Sequence, residues 1–79
     1  MEWRRFKMNI CKSKVNFVGM DKYHTNKNFS PFEMYNFIRD ESHHTIHIHM
    51  GVDNCVILTE YEFSKYFKVI KEEIFNNYS

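Results

Sequence analysis

The sequence predicts an α+β fold. One domain spans residues 1–79, its elements run β-β-α-β-β-α, and an antiparallel sheet of two hairpins carries two helices packed on one face. Three observations lead there. Residues 59–78 place Phe63, Tyr66, Phe67, Ile70, Ile74 and Tyr78 at i, i+3, i+4 spacing, the stripe of an amphipathic helix. Residues 45–50 alternate strictly, with Ile46 and Ile48 between His47 and His49, the period of a half-covered strand. Ser30, Pro31 and Glu33 stand where an N-cap, a first-turn proline and a capping-box acid would stand.

Taken in order, Phe6, Met8 and Ile10 alternate with Lys7, Asn9 and Cys11, and Val15 and Phe17 flank Asn16. Pairing Ile10 with Val15 and Met8 with Phe17 puts the apolar residues on one face, which predicts a first hairpin turning at Cys11 to Lys14. Gly19 ends that strand or makes a bulge. Residues 21–29 are polar and aperiodic and read as a loop. A short helix then follows Ser30, with Met34, Phe37 and Ile38 as its stripe, ending near Asp40. The strand 45–50 returns as 55–58, in one of two registers: Met50 opposite Ile57 or Met50 opposite Val56. Because 55–58 is apolar on both sides, the face away from the helices shows His47, His49 and one apolar row of that strand. Thr59 and Glu62 form a capping box that starts the last helix. Ser30 to Met34 also aligns with Thr59 to Phe63, which admits a duplicated ββα unit.

Composition narrows the function classes. A chain of 79 residues has a small core, and eight Phe, five Tyr and one Trp are more than it encloses, so some aromatics face outward, where they favour interfaces. Two cysteines without a C-x-x-C spacing predict reduced thiols and a cytoplasmic setting. The N-terminal stretch lacks an apolar core of the secretory kind, and no run is long enough to span a membrane. Phe, Tyr, Met, Ile, Asn and Lys make up more than half the chain, while Ala and Gln are absent. Most of that bias follows AT-rich codons and points to a low-GC bacterium, its phages or its mobile elements.

Charge is unevenly placed. Residues 1–28 hold seven Lys or Arg against two acids, and residues 29–79 hold four against eight. In the predicted first hairpin Arg5 and Lys7 face out, Lys12 and Lys14 sit at the tip, and Trp3 lies nearby, a set able to contact phosphates and stack on bases. His47 and His49 share a strand face and are the weak candidates for a metal; a third ligand would come from His44 or Cys55. A Cys55 nucleophile beside His47 or His49 lacks a nameable oxyanion hole. Gly19 and Gly51 do not make a phosphate loop.

The leading expectation is a non-enzymatic protein-binding module without cofactors. It would be an anti-CRISPR-like phage or mobile-element inhibitor or regulator that occupies a surface on a host protein or complex, or that forms a homodimer. Trp3, Arg5, Lys7, Lys12, Lys14, His47 and His49 are its candidate contact residues. The alternative is a nucleic-acid-binding regulator using the basic hairpin. Third comes a metal-binding or catalytic protein built on His47 and His49.

Overall fold

In the computed structural model, which describes residues 9–51 and 53–72, the chain is mostly strand. The order is β1 (Ile10–Ser13), β2 (Phe17–Met20), β3 (Asn26–Phe29), β4 (Met34–Asp40), β5 (Thr45–His49), β6 (Cys55–Thr59), α1 (Glu60–Tyr66) and β7 (Phe67–Lys71). Five strands form an antiparallel sheet in the order β6-β5-β4-β1-β7, and β2-β3 makes a separate two-stranded hairpin. The predicted α+β arrangement, with two helices on two hairpins, is therefore corrected. Among the described residues one short helix and the β2-β3 hairpin cover the sheet.

One predicted helix is replaced by a strand and the other stops early, both for readable reasons. Met34, Phe37 and Ile38 fit a helical stripe, but the segment also alternates: Tyr35, Phe37 and Arg39 turn inward, while Met34, Asn36 and Ile38 turn out. Its Tyr, Phe and Ile suit a pleated surface, and pairing with β1 and β5 on both sides decides in favour of strand. Ser30 and Pro31 serve a turn instead of a cap: Glu33 N–H donates to Ser30 O at 3.3 Å, and Phe32 N–H donates to Ser30 Oγ at 3.1 Å. Ser at the first turn position and Pro at the second are as favourable there as at a helix start. The last helix begins as expected but stops at Tyr66, and Phe67–Lys71 continues as β7 with Val69 and Ile70 in extended backbone. Residues 73–78 of the predicted helix lie outside the described residues, as do Phe6, Lys7 and Met8 of the predicted first hairpin.

That hairpin is also corrected. β1 pairs with β4 (Cys11 opposite Tyr35) and with β7 (Cys11 opposite Val69), and β2 pairs with β3, in the stretch read as loop. The β5-β6 register is neither of the two expected: His49 lies opposite Cys55, and Met50 N–H donates to Asn54 O at 3.0 Å across the loop 51–53. Asp53 there takes a left-handed backbone conformation, φ 61°. The two expected helix starts are not equivalent, so no repeated ββα unit is formed.

The sheet is strongly curled. Laid flat, its outermost strands would stand about 19 Å apart. Thr59 at the end of β6 is nevertheless joined to Phe67 at the start of β7 by α1 alone, a span of about 12 Å. The helix is anchored at both ends: Glu60 N–H donates to His44 O at 3.1 Å, and Lys14 N–H donates to Tyr66 O at 2.7 Å. The capping box is formed as read, with Glu62 N–H on Thr59 Oγ1 and Thr59 N–H on Glu62 Oε1, both at 3.1 Å.

The concave face holds the core: Cys11, Phe29, Phe37, Ile46, Ile48, Val56, Leu58, Phe63 and Phe67. Its aromatics form a continuous series. Phe37 meets Phe63 at 5.0 Å between centroids, Phe63 stacks on Phe67 at 5.5 Å, Phe67 meets Phe29 edge-on at 5.2 Å, and Phe29 meets Tyr35 at 4.9 Å. These are favourable aromatic separations, and they tie sheet, helix and hairpin together. The hairpin approaches β6 closely at Gly19, where a Cβ would stand 2.8 Å from Val56 Cγ1. Asp21, at the hairpin tip, bridges to Val56 and accepts from Asn54 Nδ2 at 3.0 Å. At the other end Arg39 and Glu72 form a two-pronged ion pair at 2.8 and 2.9 Å, which ties the residue following β7 back to β4.

Candidate functional site

Strand alternation places a second set of side chains on the convex face, which no described element covers. From the registers, its rows run Lys68–Lys12–Met34, then Lys71–Ile10–Asn36, then Ile38–His47–Ile57, then Asp40–Thr45–Thr59. Met34, Ile38 and Ile57 are 60%, 53% and 52% exposed. Phe32, on the turn before β4, is 90% exposed. The apolar residues thus cross three strands, β1, β4 and β6, with His47 between Ile38 and Ile57.

Lysines mark one end of this face. Lys12 lies opposite both Lys68 and Met34. Among the described residues, neither Lys12 nor Lys68 has an ion-pair partner. Lys71 follows Ile70, where an irregularity between Ile10 and Cys11 shifts the β1-β7 register. At the other end Asp40 gathers polar partners. Its Oδ2 is 2.9 Å from His43 Nδ1 and 4.0 Å from His47 Nε2, and its Oδ1 accepts from Ser42 Oγ at 2.9 Å. The hydrogen bonds from His43 and then Ser42 hold the Asp40 carboxyl below its ordinary range.

The sequence-predicted contact residues separate. His47 and His49 do share the convex face, and His49 lies directly opposite Cys55, so the expected histidine row beside one apolar row of β6 is present. Among the described residues no group of three His, Cys, Asp or Glu converges in a metal-binding arrangement. Lys12 joins the same face, but with Lys68 and Met34 as neighbours instead of a hairpin tip. Lys14 turns toward the helix, its Nζ donating to Ser64 O at 3.1 Å. Trp3, Arg5 and Lys7 lie outside the described residues. Cys11 is fully buried and its thiol is pushed up to about 12 by desolvation, so it stays protonated and unreactive.

The sequence reading missed Met34, Ile38, Ile57 and Lys68 as members of one surface. The signal for the first two was the alternation in MYNFIRD, which competed with an equally regular helical spacing. Lys68 could not be placed without knowing that β7 pairs with β1.

The chain matches no protein-family model, none of the curated proteins and none of the solved structures compared with it. No helix among the described residues is long and apolar enough to cross a membrane.

Proposed function

We propose that this chain is a small non-enzymatic protein-binding module that acts by occupying a surface on another protein, with the convex face of its curled sheet as the docking surface. The observation that carries this is the row Ile38–His47–Ile57, together with Met34 and Ile10, on a face to which no described element lends cover. Its concave counterpart is fully packed, so these large apolar side chains are not needed to close the core. An apolar centre with a charged margin is the usual anatomy of a protein interface. The hairpin also exposes Val18 and Met20, but their cross-strand partners are Asn28 and Asn26, which divide that surface into isolated spots. The setting of a phage or mobile-element inhibitor of a host complex, anti-CRISPR-like in kind, rests on the AT-rich residue usage and short chain.

A photo-crosslinking residue tests the reading. Placed at Ile57, it is expected to join the module to its partner in cells, while the same residue at Val18 does not. Crosslinking from Val18 alone, or equally from both, contradicts it. Light scattering addresses a second copy as the occupant: a dimer that dissociates on Ile38→Thr and Ile57→Thr together makes the partner another copy of this chain.

A further inference from the structure

We infer that the Lys12–Lys68 end of the convex face is an anion-reading subsite, and that it selects as partner a protein segment in which acidic and apolar residues alternate. The inference rests on the docking reading and adds the partner's chemistry to it. Lys12 and Lys68 stand opposite each other on neighbouring strands, and like charges so placed repel. Among the described residues no carboxylate reaches either ammonium. The acids near this end face elsewhere: Glu33 lies beside the Tyr35 hydroxyl at 3.5 Å, and Glu72 pairs with Arg39. The fold thus tolerates an unfavourable pair at a place where its removal would be simple. A bound carboxylate between the two ammonium groups converts that repulsion into attraction. Met34, in the same row, puts exposed apolar surface directly beside the charges, and Phe32 is exposed on the turn that leads into it. Acidic side chains on the lysines and apolar ones on Met34, Ile10 and Ile38 match this layout. Nucleic acid is the weaker fit, since the rows themselves hold no Phe, Tyr or Trp and base stacking would fall to the exposed Phe32 at their margin.

Fluorescence anisotropy with a labelled peptide alternating Glu and Leu tests this, with a Lys-and-Leu peptide and oligothymidylate as comparisons. The Glu-and-Leu peptide is expected to bind at low salt and weaken as salt rises, and the Lys-and-Leu peptide not to bind. Lys68→Glu is expected to lower affinity about ten-fold while raising the melting temperature by about 2–5 °C, because it replaces a repulsive cross-strand pair with an attractive one. A merely solubilising lysine would give the rise in melting temperature without the loss of affinity. Absence of binding by the acidic peptide, affinity unchanged by Lys68→Glu, or tighter binding of oligothymidylate than of the peptide overturns the inference. Ile38→Thr with Ile57→Thr separates the two readings. If only that pair weakens the peptide, docking stands and the lysine subsite falls; if only Lys68→Glu does, the lysine subsite stands and the isoleucine row is not the docking surface.

Discussion

Two residues show how single side chains fix the relation of hairpin to sheet. Gly19 is required by proximity and not by a turn: a methyl group there would press on Val56, whose own side chain is fully buried. Gly19→Ala is therefore expected to cost about 1–3 kcal/mol in denaturant unfolding, the range for overpacking a filled core. The sequence marked this glycine as a strand end or bulge, because close approach by a distant strand leaves no local trace. Asp21 is buried at the hairpin tip and its carboxyl is held below the ordinary range, first by the Asn54 amide and then by the Thr25 N–H, with Lys27 adding attraction. The sign follows from linkage. A folded pKa below the unfolded one contributes stability that is fully present above about 3.9 and is lost as pH falls through the folded value. Asp40 adds a contribution of the same sign. The melting temperature of the wild type should thus fall more steeply below about pH 4 than that of Asp21→Asn; parallel curves would show that Asp21 is not the group responsible.

Among the elements, α1 is the one that joins the two outermost strands, and its start was legible. Thr59 and Glu62 make the reciprocal bonds that their spacing announces. Thr59→Ala should destabilise the protein by about 0.5–2 kcal/mol, and Glu62→Gln, which can still reach the Thr59 N–H, by less. Legibility ended where two periods competed. Strand β5 was readable because alternation and β-branched residues agreed and no helical stripe fitted, and β6 as the short apolar run that returns beside it. β4 was not, since Met34, Phe37 and Ile38 satisfied helical spacing while Tyr35, Phe37 and Arg39 satisfied strand spacing. The same Ser30-Pro31 pair served as cap in one reading and as turn in the other. For β7, the helical stripe of α1 carries on through Phe67 and Ile70, and only the β-branched Val69 and Ile70 argue for extension. What decides is tertiary: β1 offers Phe67–Lys71 a partner, and the core takes Phe67 from a strand as readily as from a helix. β3, with NKNF, carries one apolar residue in four, and its existence depends on β2 beside it.

At the scale of the molecule, curling divides the sheet into two faces with different work. The concave face, closed by α1 and the hairpin, holds the aromatic series and all the fully buried aliphatic residues. The convex face was partly foreseen, in its histidines and its apolar row of β6. Its lysine end was not, because the sequence divides into a basic and an acidic half that the topology brings together: Lys12 comes from one and Lys68 from the other. The claim that one face maintains the fold while the other is kept for a partner can be measured with paired substitutions of the same kind. In denaturant unfolding, Ile38→Thr with Ile57→Thr on the convex face should cost less than about 1 kcal/mol, as for exposed positions. Ile46→Thr with Ile48→Thr on the concave face should cost about 4 kcal/mol or more, from lost burial and two hydroxyls placed in the core. Equal losses from the two pairs would contradict the account, since they would mean that Ile38 and Ile57 belong to the core and leave no open surface to dock.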